Sequence, residues 1–214
     1  MRKSSFLGSF ALVITCLISG KSLMAHASVP EAVTLTNDAG YNIIVDIKED
    51  AQEKVNDSDI WDIVKDLDFD TTVTIYNVSE SETPISPVPR AVTTDKRVSC
   101  FNCLKKDDFV TSVAKGQTKK LTSEFSSSLK AEVSGDYFDL VSLGLSSTQT
   151  VKYSTSVTFS GPPESSAKSS REYRVKFYVH EGPFTQTKTS IFGTSTKSGT
   201  YIEPYRNIEY SVDR

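Results

Sequence analysis

Two stretches of this chain alternate strictly between apolar and polar positions. Odd positions from 121 to 133 hold Leu121, Ser123, Phe125, Ser127, Leu129, Ala131 and Val133, while the even positions from 122 to 134 hold only Thr, Glu, Ser and Lys. From 141 to 159 the odd positions are Val141, Leu143, Leu145, Ser147, Gln149, Val151, Tyr153, Thr155, Val157 and Phe159. The even positions from 142 to 160 are Ser, Gly, Thr and Lys. No large apolar side chain falls on the even face of either run. Successive side chains of a strand point to opposite faces, so a strand can bury this pattern and a helix cannot. Ser134-Gly135-Asp136 is a turn signal between the runs. The simplest reading is a long antiparallel hairpin with Tyr137, Phe138 and Leu140 near its tip. A run of 19 residues at roughly 3.3 Å each exceeds about 60 Å, so the strand is either unusually long or bent near Ser146-Ser147.

The flanks carry weaker versions of the same signal. Tyr173, Val175, Phe177 and Val179 alternate with Arg174, Lys176, Tyr178 and His180, which predicts a strand with one buried and one wet face. Strands are also predicted over Thr71–Val78, Phe184–Phe192 and Tyr201–Val212. Tyr41–Lys48 alternates as well, although Ile43, Ile47, Ala51 and Val55 also fit a helical stripe. Ile60, Trp61, Ile63, Val64 and Leu67 have helical spacing, with Asp57 or Ser58 as candidate caps. From Ser79 to Asp108 the chain reads as irregular, punctuated by Pro84, Pro87 and Pro89. The expected fold is therefore mainly β, with long antiparallel strands in an elongated sheet or sandwich and a small N-terminal α+β portion.

The start of the chain changes the picture of where this fold operates. Arg2 and Lys3 precede an apolar run from Phe6 to Ile18, and Ala25-His26-Ala27 offers small residues at the two positions a signal peptidase reads. The run is too short for a membrane span, which needs about 20 apolar residues. Cys16 lies inside that run rather than after it, which argues against a lipid anchor. Residues 1–27 thus read as a signal peptide and the mature chain as secreted and extracellular. Residues 28–83 form an acidic N-terminal α+β portion. Residues 84–108 form a Pro-rich loop with a cysteine pair, and residues 109–214 a Ser/Thr-rich antiparallel β region.

Charge and side-chain chemistry exclude more than they identify. Residues 28–99 carry 15 acidic and 6 basic side chains, and residues 100–214 carry 12 and 15. A weakly basic β region is not a nucleic-acid footprint, so nucleic acid is not an expected partner. Cys100 and Cys103 are the two cysteines outside the leader, and an even pair in an oxidising compartment reads as a disulfide. A redox or zinc role needs further groups that the sequence does not place beside them. His180 is the one histidine after residue 27, and no Gly-x-Ser-x-Gly turn accompanies it, so no enzyme is expected. Asp66-Leu67-Asp68-Phe69-Asp70 opens like a calcium loop, but Thr71 and Asn77 stand where glycine and glutamate are required. No metal and no cofactor is expected.

Long Ser/Thr-rich amphipathic strands, here over about 109–192, resemble the stem region of the aerolysin and epsilon-toxin class of β-pore-forming proteins. The candidate tip, 134–140, is shorter than the insertion segment of that class. The resemblance implies a hairpin that rearranges into a membrane barrel, with Tyr137, Phe138 and Leu140 as the membrane-contacting tip and homo-oligomers forming on lipid. A barrel wall does need apolar-out, polar-in alternation over about 9–11 residues per strand. The competing reading is an extracellular binding or surface-associated β module whose wet faces are rich in Ser, Thr and Tyr. The expected partner is a lipid membrane in the first reading and a cell-surface glycan or protein in the second.

Overall fold

The computed structural model describes residues 32–81, 92–146 and 148–214. The leader 1–27 and its cleavage position, the prolines Pro84, Pro87 and Pro89, and Ser147 lie outside the described residues. Strands β1 (Ala32–Thr36) and β2 (Asn42–Ile47) are followed by a short helix α1 (Glu49–Gln52), helix α2 (Asp57–Val64) and strand β3 (Thr71–Glu80). Then come β4 (Val92–Lys96), β5 (Cys100–Ala114), β6 (Thr118–Lys120), β7 (Phe125–Lys130) and β8 (Glu132–Gly135). A single 3-10 turn (Val141–Leu143) precedes β9 (Thr148–Tyr153), β10 (Thr158–Ser160), β11 (Ser170–Ser190) and β12 (Gly193–Asp213). The protein is mainly β, as the alternation predicts.

The spine is the β11–β12 hairpin, 21 residues on each side and about 70 Å long at 3.3 Å per residue. All the other strands of the large sheet are arranged around it. In its lower half the order is β1-β2-β3-β12-β11-β5, with β2 and β3 parallel and the other pairs antiparallel. In its upper half β8 flanks β12 and β4 flanks β11. The Tyr173 and Phe184 strands, separate in the sequence reading, are one strand. Gly182-Pro183 separates them in sequence because the β4–β5 connection crosses there. Arg97 and Ser99 donate their N–H groups to the carbonyls of Pro183 (3.0 Å) and Glu181 (2.8 Å), and a Cβ on Gly182 would collide with the Arg97 carbonyl. Glycine gives the room this close approach needs.

Two other expectations are corrected. The stretch 79–108 is not irregular throughout, since β4 and most of the first half of β5 lie within it. β5 lacks alternation because its pairing with β11 contains several bulges, each of which resets the face of the side chains that follow. The cap of α2 is Asn56 rather than Asp57 or Ser58. The Asn56 side chain accepts from the Asp59 N–H (3.1 Å) and the Asp59 carboxylate from the Asn56 N–H (3.0 Å), a reciprocal capping box.

The sheet has two covered faces. On one, α2 packs over Val73, Ile75, Tyr178, Ile208, Tyr210 and Val212, in a core that also includes Ile43, Val45, Ile63 and Val64. Within this layer Arg206 (2 % exposed) pairs with Asp59 (0 % exposed) at 3.0 Å. Burial pushes the Asp59 carboxyl above its ordinary range in spite of the guanidinium beside it. On the other face lies the segment 118–160. β11 is therefore buried on both sides over its middle, with Val175 and Phe177 facing one layer and Tyr178 the other. Lys176, predicted on a wet face, is buried, and its pKa is lowered by that desolvation.

Candidate functional site

The segment 118–160 is a hairpin, but not the one that its turn signal predicts. β6 pairs with β10 from Thr118 opposite Ser160, and β7 pairs with β9 from Phe125 opposite Tyr153 to Lys130 opposite Thr148. Both ladders share one register, so they are two ends of a single hairpin. Its strands part between 121 and 124 and between 154 and 157. Ser134-Gly135-Asp136 is not its turn. Instead β8 leaves the hairpin and pairs with β12, Val133 opposite Tyr201 and Gly135 opposite Gly199. Residues 131–146 form an excursion laid along the upper half of the spine. The expected long strand over 141–159 is accordingly divided, with the 3-10 turn at Val141–Leu143 and strands only at β9 and β10.

The hairpin faces the sheet with its odd side chains. Val151 is buried against Val175 and Phe177, and Leu129, Tyr153 and Val110 pack around them. A relay of aromatic contacts runs from hairpin to sheet. Phe125 meets Tyr153 (5.9 Å between ring centroids), Tyr153 meets Phe159 (5.4 Å), Phe159 meets Tyr173 (4.8 Å), and Tyr173 stacks on Tyr76 (5.7 Å). Polar groups supply much of the remaining attachment. The Tyr153 hydroxyl donates to Glu209, the Ser127 hydroxyl donates to Asp108, and Lys106 donates to Ser127 (2.9 Å). Gln149 donates to the Ser79 carbonyl (2.9 Å), and the Tyr173 hydroxyl both donates to and accepts from the backbone of Ser160. Burial raises the pKa of Tyr153, and that of Tyr76 is pushed up to about 12. Between hairpin and sheet a cleft of about 500 Å³ remains, lined by Tyr76, Tyr153, Phe159, Arg171, Tyr173 and Glu209 among others.

The excursion is held by a smaller apolar contact and one amide. Leu143 is buried against Phe184 and Tyr201, with Val133 and Leu145 beside them. Gln186, fully buried, accepts from the N–H groups of Phe138 (2.8 Å) and Asp139 (3.2 Å) and donates to the Asp139 carbonyl (2.7 Å). Thr94 donates to the Ser142 carbonyl (2.9 Å), Glu203 accepts from the Ser146 N–H (2.9 Å), and Lys197 donates to the Tyr137 carbonyl (3.2 Å). Sequence reasoning missed Gln186. Its only signal is a lone amide among the threonines of the Phe184–Phe192 run.

Of the predicted tip residues, Tyr137 and Leu140 are exposed and Phe138 is half-buried under the Lys197 ammonium (5.0 Å). They lie on the excursion, beside β12 and the Gln186 amide rather than at a free tip. Cys100 and Cys103 sit at disulfide distance, with Cα atoms 6.0 Å apart, across a bulge of β5 that opposes Val179 and Glu181. Within that bulge Asn102 takes a positive φ of 56°, and Phe101 is displayed above His180. His180, predicted on a wet face, is half-buried. Its ring stacks with Phe101 (4.2 Å) and with Tyr205 (4.0 Å), which also meet each other (5.5 Å), and Nδ1 accepts from the Asn102 N–H (3.2 Å). Desolvation lowers its pKa. Among the described residues no group of three or more His, Cys, Asp or Glu is placed to hold a metal ion, and no helix is long and apolar enough to cross a membrane.

Compared with protein-family models, with curated proteins and with solved structures, the chain matches none of them.

Proposed function

We propose that this is a secreted, membrane-active protein whose hairpin 118–160 lengthens by releasing the excursion and inserts into lipid as part of an oligomeric β-barrel. The observation that carries the reading is the shared register of the two ladders. Continued through the excursion, that register sets Val133 opposite Leu145 and Tyr137 opposite Val141, leaving Phe138-Asp139-Leu140 as the turn. One face of the lengthened hairpin then carries Phe125, Leu129, Val133, Tyr137 and, on the other strand, Val141, Leu143, Leu145, Val151 and Tyr153. The opposite face carries only Ser, Thr, Gly, Lys, Glu and Asp. From Phe125 to Tyr137 each strand exceeds the roughly 9–11 residues that cross a bilayer, and every charged side chain falls on the even face, while Ser127, Gly135, Ser147 and Gln149 interrupt the apolar one. The predicted tip residues Tyr137, Phe138 and Leu140 fall at or beside the turn, where the membrane would be crossed first.

A hairpin held by hydroxyl hydrogen bonds and small apolar contacts can be freed without dismantling the larger core. A cross-link tests this directly. Ser134 and Thr200 are paired neighbours on β8 and β12, and Ser134→Cys with Thr200→Cys would lock the excursion to the spine. The unlocked protein is expected to release dye from liposomes. The locked protein should not, until a reductant is added, with reduced wild-type protein as the control for Cys100–Cys103. Silence of the wild-type protein on liposomes, or equal leakage by locked and unlocked forms, would count against insertion.

A second reading, an extracellular binding module, is supported by the 500 Å³ cleft between hairpin and sheet. Its size falls within the range of small-ligand sites. Its tyrosines, with Arg171 and Glu209, offer aromatic faces and polar groups to a glycan. This reading expects a monomer that leaves liposomes intact and a Tyr76→Ala variant that loses glycan binding.

A further inference from the structure

The far end of the spine is unlike the rest of the molecule. Ile191 and Phe192, each 93 % exposed, form the two-residue connection between β11 and β12, closed by Ser190 opposite Gly193. Neither loop residue has a positive φ, so this is not a primed turn; its ends, Ser190 first and Gly193 last, are the residues that a type I turn favours at those positions. Here the loop positions hold two large apolar side chains. Gly193, at φ 123°, takes the dihedral that no side chain would tolerate well. The turn is also fixed in place, because the Ser190 hydroxyl accepts from the Phe192 N–H (3.2 Å) and donates to the Gly193 carbonyl (3.2 Å). The turn is thus made by its two ends, and nothing in its backbone calls for the two large apolar side chains that it displays to solvent.

The surroundings indicate which partner such a tip fits. From Gly182 to Ile202 there is no acidic residue, and Lys188 and Lys197 stand on the two strands of the neck. The whole chain is net acidic, so this projection is locally opposite in charge. The carboxylates flanking the neck are Asp95, opposite Thr185 on one side, and Asp136, whose N–H donates to the Ser198 carbonyl on the other (3.2 Å), both nearer the body of the sheet than Lys188. The last described residue beside β11 is Val92, opposite Lys188. From there the hairpin projects about three residues, or roughly 10 Å, which matches the 5–10 Å depth of the headgroup–acyl boundary. The neck bears Thr187, Thr189, Ser190, Thr194, Ser195 and Thr196, which remain compatible with the hydrated headgroup layer.

We propose that Ile191 and Phe192 form a membrane-docking tip that inserts shallowly into an anionic lipid interface, with Lys188 engaging the lipid phosphates. Docking by this tip is a separate event from insertion of the 118–160 hairpin and requires no release of the excursion.

The test uses the secreted chain in co-sedimentation with vesicles of phosphatidylcholine alone and of phosphatidylcholine with phosphatidylglycerol. The decisive variant combines Ile191→Ser with Phe192→Asn; both side chains are 93 % exposed and neither residue has a positive φ, so polar replacements should fold as stably as wild type. The wild-type protein should pellet with the phosphatidylglycerol vesicles, less so as salt rises. The variant should lose at least about tenfold in binding, the equivalent of removing one aromatic side chain from the interface. Lys188→Ser should weaken binding to the anionic vesicles only. Wild-type protein that stays in the supernatant with both vesicle types would overturn the proposal, as would a variant that pellets as wild type does. The locked Ser134→Cys, Thr200→Cys protein should still bind without leakage. Binding without leakage by the unlocked protein would remove the insertion reading and leave the docking tip standing.

Discussion

The two covered faces of the central sheet are built on different principles. Beneath α2, thirteen buried apolar residues close around a buried ion pair. Beneath the hairpin, a cluster of three buried apolar residues and the nearby Phe159 are supplemented by hydroxyls, an amide, aromatic edges and an open cleft. Apolar burial is non-directional and cooperative, and opening any part of it exposes the rest. Hydrogen bonds net only about 1 kcal/mol each, because water replaces a lost partner once the groups are exposed. The first face should therefore unfold only with the whole domain, whereas the second can open in pieces. This difference is what the proposed release of 131–146 depends on.

The largest test of that contrast lies in the first face. Arg206→Ala leaves Asp59 buried beside no cation and removes the donor to the Lys54 carbonyl. A loss of about 3–5 kcal/mol is expected, seen as a lower urea midpoint with an unchanged slope. A loss below about 1 kcal/mol would show that this layer is less tightly built than its burial implies. On the second face, Tyr153→Phe removes one hydroxyl, and Glu209 keeps the Asn77 amide as a partner (2.9 Å). The expected cost is about 1 kcal/mol. It should be confined to faster amide exchange in β7 and β9, with little change in exchange of β3 or β12. Equal acceleration everywhere would erase the distinction between the faces.

The smallest effect is expected at the edge between them. Desolvation holds the His180 pKa below its ordinary value of 6.5, partly opposed by Glu203 and reinforced by Lys96. The unfolded chain takes up a proton near 6.5 and the folded chain only at lower pH. The stability contributed is thus complete above 6.5 and is lost as pH falls through the folded value. Thermal unfolding should show a modest loss between about pH 7 and pH 5, and His180→Gln, which keeps an acceptor for Asn102, should flatten it. An unchanged pH profile in that variant would place the acid sensitivity elsewhere.

The parts of this architecture legible in the sequence are those where one physical effect dominates. β2, α2, β3 and the odd-face alternation of 121–159 are readable because each has one buried face. β11 is misread as wet on one side because both its faces are covered, so polar Lys176 is buried with its ammonium on the Asp62 carbonyl. β5 is hidden by its bulges. The excursion is the most instructive case. Residues 131–137 and 141–145 keep the alternation of a strand, yet they leave the hairpin, because Phe184, Tyr201 and Gln186 offer the excursion a better-satisfied site on the spine. Alternation encodes a pairing these residues can make, and the tertiary fold selects another. The Ile191-Phe192 tip is missed for the opposite reason, since two apolar residues inside a Thr-rich strand look like core until the turn between β11 and β12 is seen.

Because β12 is central and all three of its partners, β3, β8 and β11, precede it in the chain, nothing upstream can complete the main sheet until residues 193–213 have been synthesised. Apart from the β1–β2 and β11–β12 hairpins, the pairings of the main sheet join strands far apart in sequence, which slows folding in any case. A nascent chain of this design leaves its main sheet unassembled until its last strand has emerged, so the order of synthesis itself sets when the fold can close.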